Sequence, residues 1–207
     1  MIELHYPFDE KSVRALKAGD AVSITGRIYT GRDKFHKYFA DGGKISLDFR
    51  DGALYHCGPV VIKQPKHPNT QTPKHPNPQT PTPPDVWRVV AAGPTTSVRE
   101  NPYEPDFIAK SGVRLVIGKG GMDEKTLAAM KKCGAVYIQA VGGAAALSAA
   151  AVKQVAGVSY LEEFGAAEAV WHFDVEDFRG VVAMDAHGTS LFDKVRISSQ
   201  KRLAEMI

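Results

Sequence analysis

Two periods of apolar residues divide this chain into three parts. In the first part apolar and polar residues alternate, as over Ala21–Thr30, and this period of two predicts half-buried strands. A further strand is predicted over 54–61, preceded by a hairpin turn at Asp51 and Gly52, and a short helix is predicted over 32–40. The residues before position 63 are therefore expected to be mostly β-structure.

From residue 86 onward, short apolar runs alternate with segments of helical period. The predicted elements are strand 86–92, helix 104–111, strand 113–118, helix 123–132, strand 135–140 and helix 144–155. Gly112 and Gly134 lie where left-handed helix caps are expected, and Asp123 lies where an N-cap is expected. The pattern then returns to period two, with a strand over 169–175 and a hairpin over 180–192 that turns near His187 and Gly188.

Short connections between alternating elements favour parallel strands joined by right-handed crossovers. The strands on either side of this central βαβα unit predict a second β layer. A chain of 207 residues, 43% of them hydrophobic, is long enough for one substantial core. The predicted fold is an α/β domain over 1–207 with a central βαβα unit and an additional β layer.

Three glycine-rich loops each join a predicted strand to a predicted helix. We call 93–99 the first loop, 118–123 the second loop and 141–144 the third loop. The carboxyl ends of parallel strands meet at one edge of a sheet, so these loops are expected to lie together. Backbone N–H groups at helix starts attract anions. The first two loops also carry hydroxyl and cationic side chains suited to a carboxylate or a phosphate, namely Thr95, Thr96, Arg99 and Lys119.

The second loop does not fit the common nucleotide-binding motifs. A Walker A loop needs Ser or Thr directly after its lysine, where this chain has Gly120. The Rossmann pattern needs Gly or Ala at position 123, which here is Asp123. ATP and NAD are therefore poor candidates, and a smaller anion is favoured.

Arg32 and Asp33 lie between a predicted strand and the helix that follows it. Taken alone, Asp33 is equally explained as a helix cap and Arg32 as a solvated side chain. Together with Arg99 and Lys119, Arg32 supplies the cationic groups that a dicarboxylate would require, one set at each end. The side-chain inventory therefore favours a small dicarboxylate ligand.

Charge, cysteine content and hydropathy exclude several classes of protein. The formal charge of +3 comes from Lys63, Lys66 and Lys74, without which basic and acidic residues balance, so no nucleic-acid interface is expected. Cys57 and Cys133 are too few for a disulfide framework or a self-contained metal site, and both are expected to be reduced. His56 beside Cys57 is interpreted as part of a strand rather than as a ligand or nucleophile. No apolar run is long enough to span a membrane and the N-terminus lacks signal-peptide features, so a cytoplasmic protein is expected.

The segment 63–85 has a composition of its own. It holds eight of the thirteen prolines, in a tandem octapeptide that begins at Pro65 and again at Pro73. Such a segment is expected to be an extended, solvated insertion within the domain. His67 and His75 in it would make only a weak metal site.

Four motifs resemble the β subunit of iron–sulfur-dependent class I fumarases and of L(+)-tartrate dehydratase. They are Tyr29-Thr-Gly-Arg-Asp-Lys-Phe-His36, Ala92-Gly-Pro-Thr-Thr-Ser-Val-Arg99, Ile117-Gly-Lys-Gly-Gly-Met122 and Gly142-Gly-Ala-Ala-Ala-Leu147. The resemblance implies a fold of the swivelling β/β/α type and the reversible hydration of fumarate to L-malate. It also implies a [4Fe-4S] cluster, held by three cysteines of a separate α subunit, with one iron open as a Lewis acid. This chain, with two cysteines, is expected to ligate no metal itself.

The resemblance also assigns roles to individual residues. Arg32, Arg99 and Lys119 correspond to ligands of the substrate carboxylates, and Thr95 corresponds to the residue that moves the C3 proton. A free hydroxyl is a weak base, so Thr95 would need activation by a neighbour such as Lys119, which we therefore also count as catalytic. The expected partner is the cluster-bearing α subunit in a hetero-oligomer, with a homodimer possible for this chain alone.

Three other functions are consistent with the same residues. The substrate could be L-tartrate, which differs by one hydroxyl group from malate. The chain could be a non-catalytic, anion-binding regulatory subunit whose partner performs all the chemistry. The loops could also bind phosphate.

Overall fold

A computed structural model describes residues 1–64 and 86–206 as a mixed α/β structure, which confirms the predicted fold class at that level. Seven strands form the main sheet in the order β1-β2-β3-β6-β7-β9-β8, and β4 pairs with β5 in a second sheet. The strands are β1 (Ile2–His5), β2 (Ala21–Thr30), β3 (Ala53–Tyr55), β4 (Val60–Lys63), β5 (Trp87–Ala91), β6 (Leu115–Gly118), β7 (Val136–Gln139), β8 (Val152–Ser159) and β9 (Val170–Met184).

The described helices flank the main sheet and are mostly short. They are α1 (Glu10–Ala15), α2 (Asp33–Ala40), a 3-10 helix (Ser97–Glu100), α3 (Glu104–Ser111), α4 (Glu124–Cys133), α5 (Ala145–Ala151), α6 (Leu161–Phe164) and α7 (Leu191–Ala204). The predicted caps are confirmed: Gly112 and Gly134 adopt left-handed conformations, and the Asp123 side chain accepts a hydrogen bond from the Thr126 amide. Among the described residues, no helix combines the length and apolar character needed to cross a membrane.

The long antiparallel strand β9 closes part of the main sheet into a ring. Strands β1, β2, β3, β6 and β7 run parallel, and of these β6 and β7 belong to the central unit for which this was predicted. Strand β9 pairs antiparallel with β7 on one side and with β2 on the other. It bends at Asp177, which has a φ of 53°. Strands β2, β3, β6, β7 and β9 are therefore hydrogen-bonded all the way round.

Two hydrophobic clusters lie on the two faces of these strands. Successive strand residues face opposite ways, so Tyr55 packs into one cluster and Leu54 into the other. The first cluster holds Trp171, Phe173 and Phe178, and the second packs helices α2, α3 and α4 against the sheet. The three glycine-rich loops follow strands that these two clusters hold in place.

Three predictions about strands are wrong. Asp51 and Gly52 form a turn but no hairpin, because β3 runs parallel to its neighbours β2 and β6. The strand predicted over 86–92 lies outside the parallel sheet, because its backbone pairs antiparallel with β4. The helix predicted over 144–155 ends at Ala151, where the valine-rich β8 begins and pairs with β9. In each case pairing with a strand distant in sequence determines the outcome.

The C-terminal β-structure also differs from its prediction. The segments predicted as separate strands belong to the single strand β9. The turn at His187 and Gly188 is present, but only Ser190 pairs back, with Met184. The Ser190 hydroxyl then accepts a hydrogen bond from the Asp193 amide and begins α7. A helix cap therefore replaces the predicted second arm of the hairpin.

The proline-rich insertion predicted over 63–85 lies outside the described residues except at its first two positions. Lys63 is the last residue of β4, and the Gln64 amide donates to the Val86 carbonyl oxygen at 2.8 Å. The described chain on the two sides of the segment is therefore held together by strand pairing.

Candidate active site

The three glycine-rich loops lie together, although β5 is not part of the parallel sheet. Thr96 of the first loop pairs with Lys119 of the second, and the Ser97 amide donates to the Lys119 carbonyl oxygen at 3.0 Å. The Ala92 amide, at the start of the first loop, donates to the Ala145 carbonyl oxygen just after the third loop, also at 3.0 Å. Hydrogen bonds between their backbones thus bring the loops together, whereas a common sheet edge was expected to do so.

Several loop amides predicted to bind an anion are already paired. The Thr95 amide donates to the His56 carbonyl oxygen at 2.7 Å, and the Gly120 amide donates to Gln139 Oε1 at 3.1 Å. The Ser97 amide is paired as described above. The first loop also enters a short 3-10 helix instead of an α-helix. The cationic and hydroxyl side chains, rather than these amides, are therefore the groups available to a ligand.

Arg32 and Arg99 are linked through Asp33, which is the first residue of α2. Asp33 Oδ2 lies 3.4 Å from Arg99 Nη2 and 3.8 Å from Arg32 Nη2. Arg32 is further held by Glu168, whose Oε1 lies 3.2 Å from Nη1. Gly58 leaves room for this guanidinium group, because a Cβ atom there would lie 2.4 Å from Nη1. Two guanidinium groups from distant parts of the sequence are thereby oriented by one carboxylate.

Two buried polar atoms of the site lack a hydrogen-bond partner among the described residues, Thr95 Oγ1 and Arg32 Nε. Leaving such atoms unpaired is costly, and in an active site a ligand commonly satisfies them. Lys119 is half-buried, and its ammonium group has no ion-pair partner in the described parts of the chain. The Arg99 side chain is 46% exposed, so the site opens to solvent. Among the predicted site residues, Arg32 is thus linked to Arg99 through Asp33, and Thr95 to Lys119 through the paired first and second loops.

A buried polar cluster lies behind the loops, and sequence reasoning missed it. His36 Nε2 and His56 Nε2 lie 2.9 Å and 3.2 Å from the same oxygen, Glu104 Oε2. His56 faces this cluster and Cys57 faces the first hydrophobic cluster. The single strand predicted over 54–61 is wrong, because β3 ends at Tyr55 and β4 begins at Val60, with His56 between them. The sequence carries only a weak signal for this cluster. His36 lies one helical turn after Arg32, within the motif that runs from Tyr29 to His36.

Burial and charge shift the pKa values of this cluster in opposite directions. Burial opposes ionisation of Glu104, but His36 and His56 outweigh it and hold the carboxyl pKa low. Burial likewise opposes the charged form of His36, yet Glu104 and Glu100 raise the pKa of its imidazole. For His56, burial dominates and lowers the pKa. The environment therefore favours the ionised form of Glu104, the charged form of His36 and the neutral form of His56.

The cysteines of this chain do not fit a three-thiolate cluster. Cys57 is 1% exposed in the first hydrophobic cluster, and burial raises the pKa of its thiol to about 12. Cys133 packs against the second cluster, on the other face of the sheet. Both are free thiols, as predicted. Cys57 and Cys133 are therefore not placed to hold a cluster together.

Several other aromatic, apolar and histidine side chains have positions away from the site. Trp171 and Met130 are fully buried, and Trp87 packs edge-on against Trp171. His172 Nε2 lies 3.1 Å from Ser159 Oγ, within the β8–β9 pair. His187 is exposed in its turn. None of these side chains belongs to the grouped loops.

Fold and site define a mixed α/β protein in which strand-end loops group two arginines, a lysine and a threonine. The family described as Fumarase C-terminus matches residues 1–195, and the chain belongs to that family. This confirms the resemblance drawn from the four motifs. The matched residues include Arg32, Arg99, Thr95 and the second loop.

Individual relatives carry two kinds of name. A protein from Geobacillus stearothermophilus named "Putative fumarate hydratase class I" is 45% identical over 205 residues, covering 99% of this chain and 36% of that protein. One from Methanocaldococcus jannaschii, "Putative L(+)-tartrate dehydratase subunit beta", is 36% identical and covers 99% of both chains. The "L(+)-tartrate dehydratase subunit beta" of Escherichia coli is 31% identical over 89% of this chain and 83% of its own length. The chain thus spans about a third of one relative and nearly the whole of others.

Proposed function

We propose that this chain is the β subunit of a hydro-lyase that reversibly hydrates fumarate to L-malate. The observations that carry the proposal are the group formed by Arg32, Asp33 and Arg99 and the buried, unpaired Thr95 hydroxyl of the first loop. A planar guanidinium matches a carboxylate with two parallel hydrogen bonds, and two of them suit a ligand with a carboxylate at each end. A relative with 45% identity bears the name of a class I fumarate hydratase.

Each site residue then has a definable task. Arg32 and Arg99 hold the two carboxylates and fix the orientation of the carbon–carbon double bond. Lys119 adds a positive charge close to the first loop and favours the ionised form of the Thr95 hydroxyl. Thr95 in that form removes the proton from C3 when malate is dehydrated, while the C2–oxygen bond breaks and the hydroxyl group leaves toward the half of the site that the partner would supply; in the reverse direction the proton returns to C3.

The remaining half of the site would come from a partner α subunit that carries the [4Fe-4S] cluster. This chain offers only two cysteines, and they lie on opposite faces of the sheet. Exposed apolar side chains surround the loops: Val98 is 53% exposed, Val141 66% and Leu147 76%. Such residues at the rim of an incomplete site are suited to contact with another chain. We accordingly propose a hetero-oligomer, and no turnover by this chain alone.

Substitution of the cationic side chains in the reconstituted αβ complex tests the proposal. Arg99→Met and Lys119→Met should each reduce kcat/KM for malate by about a hundredfold or more, because a charged hydrogen bond to the reacting ligand is lost. Arg179→Met, which removes an exposed guanidinium paired only with Asp177, is the matched control and should leave kcat/KM unchanged. Normal turnover and affinity in the Arg99 and Lys119 variants would mean a non-catalytic subunit.

L-Tartrate is the second candidate substrate, because two relatives that this chain covers over most of their length are named as tartrate dehydratase β subunits. Steady-state assays of the complex with fumarate, malate and L-tartrate distinguish the two. A higher kcat/KM for tartrate would reverse the proposed order. Titration calorimetry with inorganic phosphate adds a control, since binding of phosphate alone would contradict both dicarboxylate assignments.

We further propose that residues 1–207 form one domain of the swivelling β/β/α type and act in the cytoplasm. The closed ring of strands, packed on one face by α2, α3 and α4, supports the fold assignment. A single cooperative unfolding transition of the purified chain is expected. Two separable transitions would contradict the single domain.

A further inference from the structure

A continuous row of buried polar side chains connects the carbonyl group of Arg32 to the first and second loops. His36 Nδ1 lies 3.0 Å from the Arg32 carbonyl oxygen, and His36 Nε2 lies 2.9 Å from Glu104 Oε2. Glu104 Oε2 is also 3.2 Å from His56 Nε2. The row then continues to the first loop, with His56 Nδ1 2.8 Å from Ser97 Oγ and Ser97 Oγ 2.9 Å from the Tyr137 hydroxyl. We call His36, Glu104, His56 and Ser97 the buried polar row.

The acceptors around the row fix where its protons lie. Both ring nitrogens of His36 face oxygens that can only accept, the Arg32 carbonyl and the Glu104 carboxylate, with Glu100 Oε2 a further 3.4 Å neighbour. An imidazolium is the form of His36 that suits these contacts, with Nδ1 hydrogen-bonded to the Arg32 carbonyl group and Nε2 in an ion pair with Glu104 that lacks hydrogen-bond geometry. His56 donates from Nε2 to Glu104, so its Nδ1 accepts from the Ser97 hydroxyl. Tyr137 in turn donates to Ser97.

The second loop is shaped to let this row pass beneath it. A Cβ atom at Gly118 would lie 2.0 Å from Ser97 Oγ, 3.1 Å from the Tyr137 hydroxyl and 3.2 Å from His56 Nδ1. Only a residue without a side chain allows the strand end before Lys119 to approach the row so closely. His36, His56, Ser97 and Glu104 are each fully buried. The row and the second loop therefore fit together as one packed unit.

We propose that the buried polar row positions the substrate ligands: it holds the Arg32 backbone and the Thr95–Arg99 segment in a single geometry that accepts the dicarboxylate. The proposal rests on the proposed function and adds positioning residues to it. Arg32 lies at one end of the row, and Ser97 at the other end lies between Thr95 and Arg99. Unpaired polar groups in a protein interior are costly, so the hydrogen bonds and the ion pair along the row favour one arrangement over alternatives.

The same three residues could be mistaken for a metal site. Ligand atoms of His36, His56 and Glu104 lie within 4.8 Å of one another. A metal ion would need both Nε2 atoms deprotonated, whereas the geometry places both as neighbours of one carboxylate oxygen at hydrogen-bonding distance. The proton between each imidazole and Glu104 therefore occupies the position of a metal ion. Metal analysis of the purified chain is part of the test.

The first experiment uses the full chain and needs no activity. Long-range 1H–15N spectra of histidine-labelled protein should show His36 protonated on both ring nitrogens at pH 7.5 and His56 protonated on Nε2 only. Groups that face His36 are Glu100, Glu104 and His56, so Glu104→Gln should return His36 to a neutral form. A neutral His36 in the unsubstituted chain, or a stoichiometric zinc content, would overturn the proposal.

The second experiment measures kinetics in the reconstituted complex. Ser97→Ala and Glu104→Gln should lower kcat/KM by about ten- to hundredfold, since small displacements of positioned groups have large effects on rate. The matched control is Asp185→Asn, another buried carboxylate, which accepts hydrogen bonds from the Ala18, His187 and Thr189 amides away from the loops. It should lower the Tm and leave kcat and KM unchanged. Unchanged kcat and KM, per folded complex, in both row variants would refute positioning.

The two experiments separate this proposal from the proposed function. If the unsubstituted complex neither binds nor converts a dicarboxylate, the proposed function fails, while the spectra of His36 still report on the row. If the complex is active, Ser97→Ala decides the positioning role even where Glu104→Gln prevents folding. Ser97→Ala removes only one hydroxyl group, and the His36–Glu104 pair stays in place.

Discussion

Buried ionisable side chains distinguish the candidate site at the scale of single residues. Glu100 is fully buried, and neither of its carboxyl oxygens has a hydrogen-bond partner among the described residues. Burial raises the pKa of Glu100 to about 7, with Asp33 adding to the shift and His36 opposing it. Near neutral pH the carboxyl group of this residue, which follows Arg99 in the sequence, is therefore partly protonated and partly ionised.

Stability should depend on the protonation of Glu100. Because its pKa is raised in the folded state, the native protein binds the extra proton between about pH 4.5 and pH 7, and the associated stabilisation is lost as pH rises through that window. Glu100→Gln removes this dependence, so at pH 8 the variant should be more stable than the unsubstituted chain, by up to about 3 kcal/mol. Urea unfolding from pH 4.5 to pH 8 measures the difference.

Glu163→Gln is the control for that measurement, since Glu163 is exposed on α6. It should reproduce the pH profile of the unsubstituted chain. Parallel pH profiles for Glu100→Gln and the unsubstituted chain would show that Glu100 ionises normally.

Caps and strand pairing decide the structure at the scale of elements. The helices that carry recognisable caps were predicted well, and α4 is the clearest case because Asp123 and Gly134 bound it as expected. Strand β8 was missed because the preceding alanines favour a helix and nothing local shows that valines 152, 155 and 158 pair with β9. Elements bounded by local chemistry are therefore predictable here, while elements bounded by long-range pairing are not.

The Asp123 cap should contribute measurably to the stability of α4 and of the second loop before it. Asp123 Oδ1 accepts from the Thr126 amide at 2.9 Å and from the Thr126 hydroxyl at 2.8 Å. Asp123→Ala should lower the free energy of unfolding by about 1 kcal/mol. Asp41→Ala, which removes only an exposed pair with Lys37, should cost at most about 0.5 kcal/mol. Equal losses for the two variants in thermal unfolding would contradict the cap.

For the whole molecule, the main finding is that the site residues come from separate stretches of chain, two that follow strands of the closed ring and one that follows a strand outside it. Arg32 follows β2, the first loop follows β5 and Lys119 follows β6. None of these residues lies in 65–85, and Gln64 and Val86 are hydrogen-bonded on either side of that segment. The proline-rich segment therefore contains none of the candidate site residues.

Replacement of residues 65–85 by Asn-Gly should preserve both fold and activity. Strands β4 and β5 already pair with Lys63 opposite Trp87, a register that a two-residue turn can join. Shortening the connection should stabilise the chain by about 1–2 kcal/mol through loop entropy. Thermal unfolding and kcat/KM of the reconstituted complex test this. A version with the octapeptides scrambled at constant length is the control, and loss of activity in both variants would assign the repeat a role in the complex.

Sequence alone determined the α/β class, the helix caps, the three loops and the four candidate site residues. These features depend on local chemistry: the period of apolar residues, glycine at positive φ, and motifs whose residues lie within a few positions of one another. The resemblance carried by those motifs also identified the family. Because the chain has only two cysteines, the sequence also indicated that a cluster held by three cysteines would belong to a partner chain.

Only the tertiary structure decided how these pieces meet. The closure of the ring by β9, the place of β5 outside the parallel sheet, and the pairing of Arg32 with Arg99 through Asp33 all join residues distant in the sequence. The buried polar row is a further case, since His36, His56 and Glu104 come from three separate elements. A sequence pattern records which side of an element is buried, but the partner across the interior is chosen by long-range packing and hydrogen bonding.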